Sequence, residues 1–379
     1  VLWIGLLSGT SADAVDAALV RIGECPGDLE LVAALEVPLP DALRARVHRA
    51  AEGLLSPREV LRLDTELGER FADAARAVAR AGDVELTDVE GIGSHGQTVG
   101  HFPEPGVRGS LQLGSPNVIH AATGLPVVHD FRAADLAVGG QGAPLTPFLH
   151  LHCFGSSHER RAVLNLGGFT NVTYLPDARP EHVVAFDPGP GNALLDRAAR
   201  WASRGKQRFD ENGSRAARGR ALKPVLDTLL SDPYFAAPPP KSTGHERFGA
   251  RFFARARAAV DDAGGEVEDL FATLQELTVQ SVVLAAERFF PAPVDRWLVY
   301  GGGVRNSGLR QRFESALAPV PVEPTDDHGI PHGALEAMTF ALLGWCSVRG
   351  LPGNLPAATG AERPAVLGSL TPPHALRRP

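Results

Sequence analysis

The chain has 379 residues, 44% of them hydrophobic and 21% charged, with a formal net charge of -7. That length and composition suit two globular cores better than one, and a net negative chain without clustered Lys and Arg excludes the basic surface that a phosphate backbone or an acidic membrane demands. Cys25, Cys153 and Cys346 are too far apart for metal-ligand or redox spacing. A reducing, cytoplasmic setting is therefore expected, with no leader in the short apolar run Val1 to Leu7 and no membrane span.

In chain order, Leu2 to Leu7 reads as a strand, followed by a turn of small residues and by apolar runs at Val15 to Arg21 and Leu29 to Val37, together a β-meander. Residues 41 to 82 place Leu61, Leu63, Leu67, Phe71, Ala74 and Val78 on a helical face. Ile92 marks a short strand ending in Ser94-His95-Gly96-Gln97-Thr98. Ser115-Pro116 opens a helix to residue 123, and Val127-Val128 is a strand closing on Asp130-Phe131-Arg132. After a hinge-like Gly/Pro segment at 139 to 147, a second strand-turn-strand begins: Ala162 to Leu166, Gly167-Gly168-Phe169-Thr170-Asn171, then Val172 to Leu175. Val183 to Phe186 is a third strand, with a helix starting near Asn192. A rigid loop follows at 236 to 245, then a helix over 265 to 289, and Trp297 to Tyr300 is a buried strand running into Gly301-Gly302-Gly303. The end after Gly350 is rich in loop residues. The two openings, LLSGTSADAVDAAL and LNLGGFTNVTYL, fit a duplicated α/β domain, each copy facing the other across a cleft; two unrelated hairpins would give the same pattern.

The turn Gly9-Thr10-Ser11-Ala12-Asp13-Ala14-Val15-Asp16 leaves backbone N–H groups and two hydroxyls uncovered, as phosphate oxygens need. Asp13 and Asp16 add carboxylates able to organise Mg²⁺ through its waters; a plain hairpin turn is the alternative. Gly167-Gly168 offers a second phosphate turn, and Gly301-Gly302-Gly303 lets a flat base or ribose lie against the backbone. No GxxxxGK[ST] or GxSxG pattern occurs, the Gly301-Gly302-Gly303 turn lacks the GxGxxG spacing of a dinucleotide turn, and the histidines form no metal cluster. In Phe186-Asp187-Pro188-Gly189-Pro190-Gly191-Asn192 an acid stands at the end of an apolar strand on a stiff turn that opens a helix. Asp187 suits a general base held by the scaffold, or else a side chain that forms the turn; Asn192 suits the helix N-cap. His95, Gln97 and Thr98, with Arg132 and Asp135, suit hydroxyl and carboxylate recognition on a sugar, although a histidine so placed also serves as a hydrogen-bonder of the fold.

Together these blocks resemble the 1,6-anhydro-N-acetylmuramic acid kinases: IGLLSGTSADAVDAALV, GSHGQTVGHFP, QLGSPNVI, PVVHDFRAADLAVGGQGAPLTP, LNLGGFTNVTYL, AFDPGPGN, PPKSTG and GGGVRN, with GNLPAATGA at 353 to 361. The resemblance covers nearly the whole chain in one order. It implies an α/β fold of two duplicated actin/hexokinase-like (RNase H-like) domains flanking a nucleotide and sugar cleft. The first domain would be 1–145 plus 338–379 and the second 146–337. ATP, with Mg²⁺, would bind through Gly9 to Asp16, Gly167, Gly168, Thr170, Asn171 and Gly301 to Gly303. Asp187 would be the catalytic aspartate, and His95, Gln97, Thr98, Arg132, Asp135, Gly189 and Asn192 would hold the sugar. The implied reaction opens the anhydro ring with water while phosphorylating O6, in cell-wall recycling, by a homodimer. The chain departs from the family pattern at Ala12, at Ala14 (where positive φ would be disfavoured), at Pro188, at His245 and at Pro331-His332-Gly333. Levoglucosan or another hexose is the alternative substrate, and a non-catalytic sugar sensor the alternative from another class.

Overall fold

The protein's structure is a computed structural model that describes residues 1–104 and 106–372. The chain divides into two units, Val1–Cys153 with Gly333–Pro379, and Phe154–His332.

In the first unit β1 (Leu2–Ser8) is buried along its whole length and is central. It pairs antiparallel with β2 (Ala14–Ile22), which pairs antiparallel with β3 (Leu29–Pro38). On its other side β1 runs parallel to β4 (Val89–Phe102), and β4 pairs with β5 (Gly109–Leu113) antiparallel and β6 (Val127–His129) parallel. The expected short strand at Ile92 is thus part of a 14-residue strand that carries Ser94 to Thr98 within it. The helical stretch expected over 41 to 82 is two helices, Asp41–Ala51 and Pro57–Ala81. Left-handed Gly53 and the starter Pro57 separate them. Ser56 and Glu59 form a capping box at the second start, and Leu63, Leu67, Phe71 and Val78 bury one stripe against the sheet. A helix at Leu335–Val348, buried from Ala337 to Cys346, packs on the sheet as well. Gly5 and Gly93 permit its approach, since a Cβ on either would stand 1.8 Å from the Ala337 carbonyl oxygen or 1.9 Å from that of Phe340.

In the second unit β7 (Arg161–Leu166) and β8 (Phe169–Leu175) form a hairpin, and β9 (Val184–Pro190) joins β8 antiparallel. β10 (Arg296–Tyr300) runs parallel to β7, and β11 (Val322–Pro324) parallel to β10. Phe186, Tyr174 and Trp297 fill the sheet side of the core, while Phe248, Phe252 and Phe271 fill a helical layer. The chain then returns to the first unit, where β12 (Ser369–Thr371) lies antiparallel to β6. With β5 and β12 set aside as antiparallel additions to the first sheet, both sheets share one order, β3-β2-β1-β4-β6 in the first and β9-β8-β7-β10-β11 in the second, the first three strands antiparallel and the other two parallel to the first. This is the duplicated actin/hexokinase-like arrangement expected from the sequence. Among the described residues no helix is long and apolar enough to cross a membrane.

Candidate active site

Ligands in such sheets gather beyond the carboxyl ends of parallel strands, and there the first unit places the Gly9 turn. The turn closes with the Ala12 N–H donating to the Gly9 carbonyl at 3.0 Å. Thr10, Ser11 and Asp13 are exposed, and the Ser11 hydroxyl donates to Asp13 Oδ1 at 2.6 Å. A side chain at Gly9 would meet nothing within 4 Å, so the turn is open where a ligand would lie. The left-handed residue is Ala12, at φ 50, whereas Ala14 begins β2; the concern over positive φ thus belongs two residues earlier. The Val15 side chain lies wholly in the core, and Asp16 sits in β2 opposite Leu7 and Glu36.

β4 brings the polar cluster beside this turn. Gln97 stands next to Ser8 and donates its amide to the Gly9 carbonyl at 3.1 Å. Thr98 is half-buried and accepts from Gln112. His95 is buried, with Nδ1 donating to the Gly96 carbonyl at 3.0 Å, so Nε2 is the acceptor for Arg132 at 2.8 and 3.1 Å. Burial first and Arg132 second hold this imidazole well below its ordinary pKa, hence neutral. Arg132 also donates to the Gly142 carbonyl, and burial lowers it to about 10. Asp135 departs from the expected role. It is fully enclosed, and its carboxylate accepts from the Gly142 N–H, Asn354 and Thr359 at 2.6–2.7 Å. It ties loop to C-terminal segment and shows no face to a sugar.

In the second unit Asp187 lies inside β9, three residues before its end, where the register shifts between Thr170 and Val172. Asp187 and Pro188 thus face the single residue Asn171, a bulge of the kind that re-aims a side chain, and Pro188 has no N–H to lose there. Asp187 Oδ1 accepts from Asn171 at 2.5 Å, and Oδ2 accepts from the Thr243 N–H at 2.9 Å. Its own N–H donates to the Lys241 carbonyl, and its carbonyl accepts from the Tyr234 hydroxyl at 2.7 Å. With 8% of its surface exposed, burial pushes the carboxyl up to about 6, against the pull of those two donors.

Asn171 is itself oriented, its Oδ1 accepting from Asn165 across the hairpin at 3.3 Å. A Cβ on Gly301, at φ 86, would stand 2.2 Å from Asn165 Oδ1, and one on Gly303 would stand 2.6 Å from the Leu166 carbonyl oxygen. Gly302 between them is open. Gly301, Asn165, Asn171, Asp187 and Thr243 thus form one polar line across the strand ends. Gly167 and Gly168 accept the first amides of the helix Asn192–Ala202. Asn192 is its first residue and not its N-cap; its side chain donates to the Leu166 and Gly167 carbonyls. Thr170 is fully buried with its hydroxyl on Gly189, and Gly189 packs under Phe235 and Ser281. Both shape the bulge from within and are closed to a ligand. Asn165, Lys241 and Thr243 escaped the sequence reading as site residues; an Asn inside the apolar run AVLNL was the one available signal for the first.

The family model described as anhydro-N-acetylmuramic acid kinase matches residues 1–373. The chain is 42% identical over 377 residues to the anhydro-N-acetylmuramic acid kinase of Cyanothece sp., covering 97% of this chain and 98% of that one. It is 42% identical over 382 residues to the enzyme of the same name from Salinibacter ruber, covering 98% and 96%, and 43% identical over 380 residues to that of Synechococcus elongatus, covering 97% and 98%. A match of that extent settles the affiliation: the chain belongs to the anhydro-N-acetylmuramic acid kinase family.

Proposed function

We propose that the protein uses ATP to open the 1,6-anhydro ring of 1,6-anhydro-N-acetylmuramic acid with water and to phosphorylate O6, giving N-acetylmuramic acid 6-phosphate. The observation that carries this is Asp187. A carboxyl with a pKa of about 6 is roughly nine-tenths ionised at pH 7, so it is a base in its working form. Asn171 and Thr243 each occupy one oxygen and fix the plane of the group, leaving further lone pairs for a water. Asp187 takes a proton from that water as its oxygen bonds to the anomeric carbon. The C1–O6 bond breaks, O6 takes the γ-phosphoryl group, and ADP departs. Capture of O6 by phosphoryl transfer makes a separate acid for the leaving oxygen unnecessary.

The residues present fit a nucleotide. Gly9 and Gly302 leave open backbone, and Thr10 and Ser11 are exposed residues that offer hydroxyls on the turn. We assign the phosphates to the Gly9–Asp16 turn and to Gly167-Gly168, and the nucleoside to Gly301–Gly303. His95, Gln97, Thr98 and Arg132 are assigned to the sugar side. Among the described residues no group of three or more His, Cys, Asp or Glu could hold a metal, so Mg²⁺ would be held by the phosphates and waters, with Asp13 and Asp16 behind them. When bound, that ion neutralises charge on the transferring phosphoryl group. In keeping with its family we place the enzyme in the cytoplasm as a homodimer that consumes a cell-wall fragment.

The test is ADP release with 1,6-anhydro-N-acetylmuramic acid beside levoglucosan, run in ¹⁸O-labelled water with controls for exchange at C1. Turnover of the first sugar, with label at C1 as phosphate reaches O6, is the expected result. Turnover of levoglucosan alone, or phosphorylation without label, would overturn the assignment.

A further inference from the structure

The loop between the helix Pro233–Ala236 and residue 243 is built around a cation. Lys241 is half-buried, with its ammonium set among aromatic rings. Its ammonium lies 4.7 Å from the centroid of the Tyr234 ring, 4.8 Å from Phe289 and 5.5 Å from Phe186, and donates to the Tyr234 carbonyl at 3.1 Å. Three aromatic faces and one carbonyl replace much of its water, an arrangement suited to a cation. The walls come from three elements: Phe186 from β9, Tyr234 from the short helix, and Phe289 from the end of the helix Val267–Phe289. The same lysine's carbonyl accepts the Asp187 N–H, and two residues on, the Thr243 N–H reaches Asp187 Oδ2. Phe186, one wall of the box, directly precedes Asp187.

We propose that Lys241 is a positioning residue for Asp187, its boxed ammonium pinning the Lys241–Thr243 segment that holds the aspartate's backbone and one of its carboxylate oxygens. An apolar side chain of the same length would fill the space but would have no preference for the ring faces, and the segment would be free to lift from β9. Asp187 would then lose the Thr243 donor and keep only Asn171. The charged groups facing the ammonium are Arg288, which opposes its charge, and Asp187, which favours it; burial, reinforced by Arg288, outweighs Asp187 and lowers Lys241 to about 8. The Tyr234 hydroxyl is committed to the Asp187 carbonyl, and Arg247 lies over the Tyr234 ring while paired with Asp232. The ammonium therefore loses its proton near pH 8, and the anchor weakens above that.

Lys241 can have this role only if Asp187 is the base, so the experiment separates the two. ADP release by the full-length enzyme with ATP and 1,6-anhydro-N-acetylmuramic acid is followed from pH 5 to 10 for Lys241→Met, Lys241→Arg, Phe289→Leu and Asp187→Asn. Lys241→Met should lower kcat about 10- to 100-fold with KM for ATP within about twofold of wild type. It should also move the acidic limb of kcat to higher pH, because a donor and a positive charge near the carboxylate are lost. Lys241→Arg should restore most of kcat and abolish the fall above pH 8, since a guanidinium keeps its charge there. Phe289→Leu opens one wall from outside the loop and should give a smaller loss in the same direction; it decides the matter if thermal melting shows Lys241→Met to be unfolded. Wild-type kcat and an unmoved acidic limb in Lys241→Met would overturn the proposal. So would equal losses in the Met and Arg variants with neither limb moved, which is the signature of packing alone. If Asp187→Asn keeps most of its kcat, the base itself is misassigned, and that single variant shows it whatever Lys241 does.

Discussion

β3 and β9 hold the same place in two sheets of one topology, and they differ in what covers them. β3 alternates, with Leu35 and Val37 packed against the core and Ala34, Glu36 and Pro38 exposed. Of its two acids, Glu36 is exposed across from Asp16. β9 is buried from Ala185 to Pro190, because the Lys241–Thr243 segment lies along it and takes up its Asp187 N–H. The same layout thus yields a solvated carboxylate in one copy and an enclosed one near pKa 6 in the other. What makes the acid chemically useful is the cover on its strand and the bulge that turns it, more than its position in the sheet.

The comparison breaks most readily at the two acids. Asp187→Asn should lower kcat by about 10³-fold with ATP affinity kept, whereas Glu36→Gln should leave turnover within about twofold, measured by steady-state ADP release and calorimetric titration. A comparable loss in both variants would mean that the edge strands are not functionally distinct. The next effect is in stability. Asp187 is raised in the folded state from 3.8 to about 6. Its favourable contribution is therefore full below about pH 4 and is lost as pH rises through about 6. Wild type should gain on Asp187→Asn by up to about 3 kcal/mol between pH 7 and pH 4, read from urea midpoints of the pair at each pH.

The glycine turns sharpen the contrast further. Gly301→Ala meets Asn165 at 2.2 Å and a left-handed backbone, and should cost about 2 kcal/mol while raising KM for ATP. Gly9→Ala meets no neighbour and should alter KM with melting temperature unchanged. Smallest is Ala12→Gly. The relief of a left-handed alanine at φ 50 is set against the loss of a fully buried methyl, so stability should move by less than about 1 kcal/mol. A larger drop in urea titration would show that the methyl, and not the turn, governs this position.

Much of this was legible in the chain. Apolar runs broken by turns of small residues marked the opening strands of both sheets, and the Pro/Gly turn after Asp187 marked that acid as held by the scaffold. The helix Leu335–Val348 was not legible, since a helix buried on nearly every side has no polar face to set a period. The bulge that aims Asp187 depends on register against β8, which no local pattern in β9 records. Asp135 and Thr170 looked like ligand contacts because they are polar and near motifs. Their hydrogen bonds go to the fold itself, and for Asp135 the partners Asn354 and Thr359 lie 219 and 224 residues away. Lys241 read as an ordinary loop cation because its three rings come from elements far apart in sequence.

The buried carboxylate of Asp135 also dictates an order of assembly during synthesis. Two of its donors, and the strand that pairs with β6, belong to chain that is made only after the whole second unit. The unit that starts first therefore finishes last, while the unit between, continuous in sequence, is free to fold on emergence. A nascent chain halted after Gly350 would leave that interior carboxylate with the Gly142 N–H alone, and such a fragment should be recovered in inclusion bodies or bound to chaperones.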